Sequence, residues 1–154
     1  MIDLVYELRK HQMIDEHGTY SDLYFDTGYE LAGKVKFTQN DIREIQMAKA
    51  AIRAGVDILV KKAGIAFDEV DDCYLAGGFG TKIDITKAAG IGLIPKELEV
   101  KTIPVGNTVL AGTKEVLLGR ISKDELEKIQ TMADVINLAE ENDFEELYLS
   151  YMDF

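Results

Sequence analysis

The sequence predicts an α/β layer structure, a mixed sheet flanked by helices, on three observations. Segments with the 3.6-residue periodicity of helices alternate with short apolar runs of strand length. Glycines collect around the ends of those strands, eight of the 13 lying between Gly77 and Gly119. A chain of 154 residues, 47% of them hydrophobic, is long enough to bury a core of its own and reads as a single domain over 1–154.

The elements follow in order. Ile2, Val5 and Leu8, then Met13 and Ile14 after a gap, are spaced as on a helix that ends near His17-Gly18. No Ser, Thr, Asp or Asn precedes Ile2, so this helix reads as joined partway, with upstream sequence missing. Leu23 to Phe25 and Tyr29 to Leu31 are short stretches that suit edge strands. Thr38 with Asp41 resembles a capping box and opens a helix of about 24 residues, whose stripe Ile42, Ile45, Ile52, Val56 and Leu59 runs through Ala48, Ala51 and Ala63 to Gly64. Asp71 to Ala76 reads as a strand feeding Gly77-Gly78-Phe79-Gly80, and Asp84 to Gly92 as a helix stopping before Pro95. Val100 to Val105 is a second strand, Asn107 to Leu118 a helix, and Ser122 with Glu125 caps another. Asp134 to Leu138 reads as a short strand, and a last helix follows Asn142 or Asp143.

Charge excludes some functions. Seventeen basic and 28 acidic residues give −11 and a pI near 4.6, so the whole surface repels phosphate backbones and anionic lipid. Neither nucleic acid nor a membrane is an expected partner. The charge is uneven: residues 1–33 hold 2 basic and 7 acidic side chains (−5), residues 34–114 hold 12 and 10 (+2), and residues 115–154 hold 3 and 11 (−8). The single cysteine, Cys73, cannot form an internal disulfide, a cysteine zinc site or an iron–sulfur cluster by itself, and points to a reducing compartment. With no apolar leader in the opening residues and no apolar window of roughly 18 residues, a cytoplasmic protein is expected.

Three features could carry chemistry. A strand running into Gly77-Gly78-Phe79-Gly80 lets backbone approach a ligand closely, and ligands of open α/β sheets collect beyond the carboxyl ends of strands. The motif is neither GxGxxG nor a P-loop, and a tight structural turn explains it equally well. Gly106-Asn107-Thr108 joins a strand end to a helix start whose free N–H groups favour an anion, although plain capping is the simpler reading. Gln46, Lys49 and Arg53 share one face of the long helix, where a solvated polar face is the simpler reading. His11, His17, Cys73 and the acidic groups Asp71, Asp72 and Asp84 lack the spacing of a metal or nucleophile site, and no metal ligand is assigned. The acidic run Glu140-Glu141, Asp143 and Glu145-Glu146 reads as a solvated helix start.

The runs FTQNDIREIQMAKAAIRAGVDIL, YLAGGFGTKIDITKAAGIGLIP and VGNTVLAG, in that order, resemble the C-terminal part of the reductive activators of corrinoid proteins. The large domain of that family belongs to the acetate and sugar kinase, heat-shock chaperone and actin ATPase (ASKHA) superfamily. The resemblance implies part of a ribonuclease H-like, actin-like ATPase lobe. It implies a parent protein in which ATP turnover supports electron transfer from a ferredoxin-like iron–sulfur domain to an inactive Co(II) corrinoid. By that resemblance Gly77, Gly78, Phe79 and Gly80 approach the adenosine and α-phosphate of ATP or ADP, Gln46, Lys49 and Arg53 cover adenine and ribose, and Gly106, Asn107 and Thr108 edge the same pocket. The family's Asp-Gly-Thr phosphate loop, its Gly-Ser-Gly turn and its cluster cysteines are not in this chain. The resemblance therefore implies a nucleotide-binding subdomain of a larger ATPase, without ATPase activity of its own and without catalytic residues, the Mg and the iron–sulfur cluster belonging to the parent. The expected partner is a corrinoid protein, and a homodimer stays open. The rival readings are a non-catalytic interaction module that docks a corrinoid protein through its acidic end, and a lobe of a sugar or acid kinase.

Overall fold

The computed structural model of the chain describes residues 1–78 and 81–154. Phe79 and Gly80, half of the glycine turn singled out above, lie outside the described residues.

The long helix organises the rest. Helix α1 (Ile2–Lys10) and the single turn α2 (Asp22–Phe25) precede a hairpin of β1 (Tyr29–Ala32) and β2 (Val35–Phe37), which leads into α3 (Gln39–Ala63). Thr38 and Asp41 close a capping box at the start of α3, each satisfying a backbone N–H that the first turn leaves free. Gly64 ends the helix in the left-handed conformation. Strand β3 (Cys73–Ala76), helix α4 (Ile85–Gly90), capped by Asp84, and strand β4 (Thr102–Gly106) follow. Helices α5 (Thr108–Leu117), α6 (Lys123–Met132) and α7 (Phe144–Ser150) complete the chain. Asn107 caps α5, and Ser122 with Glu125 forms the capping box of α6.

Strands of both directions are present, in two ladders. β1 and β2 are antiparallel, whereas β3 and β4 are parallel, with Cys73 opposite Thr102 and Ala76 opposite Gly106. The core lies under α1, α3 and α4, where Val5, Leu8, Ile14, Ile42, Ala88 and Ile91 are all but withdrawn from water. α1 packs against α4, and α7 against α3. No helix among the described residues is long and apolar enough to cross a membrane.

Four expectations need correction. The opening helix stops at Lys10, because Gln12 takes a positive φ of 56° and turns the chain; Ile14 then bridges to Tyr20 instead of extending the helix. Leu23 to Phe25 close a turn of helix rather than an edge strand. Residues 134–138 form no strand, and Val135 there is 95% exposed. On α3 the stripe is rotated: Ile42 is buried and Ile45 and Val56 pack on the core, but Ile52 and Leu59 are more than half exposed, while Gln46 and Lys49 are buried.

The rotation predicts contrasting mutants. Ile42→Ala removes a fully buried side chain and lowers unfolding free energy by about 2–4 kcal/mol. Ile52→Ala costs less than about 1 kcal/mol, since half of that side chain is already in water. Urea unfolding of the two variants measures the difference.

Candidate functional site

The two glycine turns meet because the two strands are parallel neighbours. Gly77, at φ +87°, donates its N–H to the Gly106 carbonyl at 2.7 Å, and Gly106 itself stands at φ +68°. Both therefore occupy a backbone region that disfavours any residue with a Cβ. The Thr81 hydroxyl donates to the Gly78 carbonyl at 2.8 Å, and an added Cβ on Gly78 would meet no described atom within 4 Å. The carboxyl ends of β3 and β4 thus carry an open glycine ledge, the place where parallel α/β sheets bind ligands. Asn107 spends its side-chain oxygen on the Leu110 N–H at 3.0 Å, and both Asn107 and Thr108 are exposed at the start of α5.

Beside this ledge lies a cavity of about 610 Å3. Gly78 and Lys82 border it on one side and Met1, Ile2 and Asp3 on another; α3 contributes Glu44, Ile45, Ala48, Lys49 and Ile52, and Ile83, Ile91 and Leu93 complete the wall. The lining is mostly aliphatic with a few charges at its margin, a composition suited to a flat apolar group bearing a polar tail. Lys49 and Gly78, singled out by sequence, share this cavity. Glu44, Ile45, Ala48, Ile52 and Lys82 join them unannounced: Ile45, Ala48 and Ile52 are helix-spaced, but that spacing reads equally as a core-facing stripe.

Gln46 and Arg53 are not in the cavity. The segment Tyr151–Phe154 lies along their face of α3. Gln46, fully buried, donates its amide N–H groups to the Met152 carbonyl at 2.9 Å and the His17 carbonyl at 3.0 Å, and its carbonyl accepts from Arg43 at 2.7 Å. Gly18 has no Cβ to collide with that amide; an added one would sit 2.7 Å from the Gln46 nitrogen. The Lys49 ammonium donates to the Asp153 carbonyl and lies 5.3 Å from the centre of the Phe154 ring. Arg53 stands between Phe67 at 5.3 Å and Tyr151 at 4.8 Å and pairs with Asp57 at 3.4 Å, while the Tyr151 hydroxyl donates to Asp57. The polar face expected to be solvated is therefore enclosed by the chain itself, since each buried donor finds a backbone carbonyl or an aromatic face there.

The remaining candidates resolve simply. His11 and His17 are exposed, and the hydrogen bond of His17 to the Asp153 carboxylate at 3.0 Å raises its pKa. Cys73 is half-buried in β3, Asp72 accepts from Tyr74, and Asp84 caps α4. No three His, Cys, Asp or Glu side chains gather as metal ligands among the described residues. The acidic run is only partly solvated: Glu141 pairs with Lys62 at 2.9 Å and Asp143 pairs with Lys61, both at the carboxyl end of α3, where basic side chains already favour the helix dipole.

Comparison with known proteins places these features. A protein-family model described as the C-terminal domain of RACo, the ASKHA domain, matches residues 1–154. The corrinoid activation enzyme RamQ of Eubacterium limosum is 32% identical over 137 residues, which are 88% of this chain and 23% of that protein. The [Co(II) methylated amine-specific corrinoid protein] reductase of Methanosarcina barkeri is 28% identical over 122 residues, 78% of this chain and 22% of the relative. The solved structure of a reductive activator for corrinoid, iron–sulfur protein superposes with a TM-score of 0.79 at 25% identity, covering 99% of this chain and 27% of that one. The chain thus spans 22–27% of the length of these relatives.

Burial pushes the Lys49 pKa down from 10.5 to about 8, against a smaller opposing pull from Asp153. The folded chain then binds fewer protons than the unfolded chain between those values, so the cost of burying the ammonium is fully present below about pH 8 and stability rises as pH climbs through the window. Tyr20, whose burial pushes its hydroxyl up to about 12, opposes this only above about pH 10. Between about pH 7.5 and about pH 9.5, urea unfolding shows wild type gaining on the order of 1–2 kcal/mol relative to Lys49→Met.

Proposed function

The chain belongs to the C-terminal ASKHA-domain family of the reductive activators of corrinoid proteins, and from that membership we propose that it is the adenine-nucleotide-binding subdomain of a larger ATP-dependent activator. One observation carries the reading: Gly78 and Lys49 border the same 610 Å3 cavity. The residues fit such a ligand. Ile45, Ala48 and Ile52 offer a helix face of aliphatic groups against which a purine can lie, and Gly78 admits a phosphate to the backbone without a Cβ in the way. Lys82, within the one stretch of sequence that is not net acidic, brings a positive charge to a lining that also holds Asp3 and Glu44. Bound nucleotide supplies phosphoryl-transfer chemistry; this chain's residues hold and orient its adenosine side. Gly106 shapes the ledge behind the turn, and Asn107 and Thr108 sit beyond it as caps and edge groups.

The larger assignment follows from the relatives. Their names describe activation or reduction of corrinoid proteins, and we read the protein as working toward the same end, ATP turnover supporting electron delivery from an iron–sulfur domain to a Co(II) corrinoid protein. Neither cluster ligands nor a γ-phosphate loop lies in these 154 residues, so binding rather than hydrolysis is what the subdomain contributes.

Isothermal titration tests this. The chain binds ATP and ADP weakly, with Kd on the order of 0.1 mM, and releases no phosphate. Gly78→Val leaves the unfolding free energy in urea within about 0.5 kcal/mol of wild type and abolishes the binding heat. Absence of heat from wild type at millimolar nucleotide contradicts the reading.

A further inference from the structure

Lys49 faces two ways. Its stem borders the cavity, yet its ammonium is committed to the Asp153 carbonyl and the Phe154 ring. The two residues that claim it belong to a continuous four-residue strap: Tyr151 covers Arg53, Met152 accepts from Gln46, Asp153 accepts from Lys49 and pairs with His17, and the Phe154 N–H donates to the Glu16 carbonyl at 2.9 Å. We propose that Tyr151–Phe154 is an intramolecular strap that competes with the ligand of the cavity for Lys49, so that ligand binding loosens the strap and the docked strap weakens ligand binding. The proposal rests on the nucleotide reading above and adds a regulation to that site.

Two physical observations support competition over a purely structural anchor. A carbonyl and a ring face offer the ammonium no opposite charge, whereas a phosphate oxygen pairs it with an anion. A nucleotide reaching Lys49 therefore has the means to draw the ammonium off Asp153. The strap also closes over a slot in which Arg53 Nε has no hydrogen-bond partner among the described residues, a polar group left unsatisfied where Tyr151 covers the guanidinium. Because coupling of two binding events is reciprocal, weakening the strap must tighten the ligand by the same factor that the ligand loosens the strap.

Hydrogen exchange on the 154-residue chain with and without saturating MgADP, combined with titration of wild type and Phe154→Ala, tests the proposal. The unaltered chain supplies the exchange arm, so the test does not depend on the variant. MgADP is expected to speed exchange of the Phe154 amide, and Phe154→Ala to bind MgADP about fivefold or more tightly than wild type, the low end of measured couplings. If both chains bind equally and exchange at residues 151–154 is unchanged or slowed, the strap is overturned and the nucleotide site stands. If neither binds, the nucleotide reading falls and the competition falls with it.

Discussion

Three polar side chains on one face of a helix, Gln46, Lys49 and Arg53, set the terms for the rest of the molecule. Withdrawn from water, each must find a partner or destabilise the fold. Gln46 and Lys49 find theirs at the two ends of the chain, the His17 carbonyl near the start and the Met152 and Asp153 carbonyls near the end, while Arg53 lies between Phe67 and Tyr151 and pairs with Asp57. Satisfying this row fixes where α7 lies on α3, why Gly18 sits where a Cβ would strike the Gln46 amide, and which face of α3 remains for a ligand. Ile45, Ala48 and Ile52, on the neighbouring face, are left to border the cavity.

The opposite wall has a separate physical origin. Parallel pairing of β3 with β4 brings Gly77 against Gly106, and their positive φ angles turn both chains away at the same level. The ledge is built from backbone, so its shape depends on strand register and on the lack of side chains, not on any catalytic group. A site of this kind binds and orients, and the relatives this chain resembles are about four times longer.

Most features legible in the sequence are local. Thr38 with Asp41, Ser122 with Glu125, Asp84, Asn107 and Gly64 mark helix ends through contacts within a few residues, and each occurs where its spacing places it. The strand before Gly77 was legible for the same reason. The burial of Gln46 and Lys49 was not, because their partners lie 106 and 104 residues away and nothing in local periodicity distinguishes a solvated polar face from one paid for by distant carbonyls. Residues 134–138 carry strand-like composition, but a strand needs a neighbour and none pairs with them among the described residues. Of the residues that border the cavity, Gly78 and Lys49 were singled out in the sequence, and Ile45, Ala48 and Ile52 were hidden because their apolar spacing serves a core and a ligand wall alike.

The central claim is that the face of α3 turned toward Gly78, and not the face under the C-terminal segment, receives nucleotide. An amide chemical-shift map of the isotope-labelled chain titrated with MgADP tests it most directly. The account predicts that the largest early shifts fall on Ile45, Ala48, Ile52, Gly78 and Lys82. Shifts confined to the cleft between Asp57, Phe67 and Leu147, on the far side of α3, contradict it.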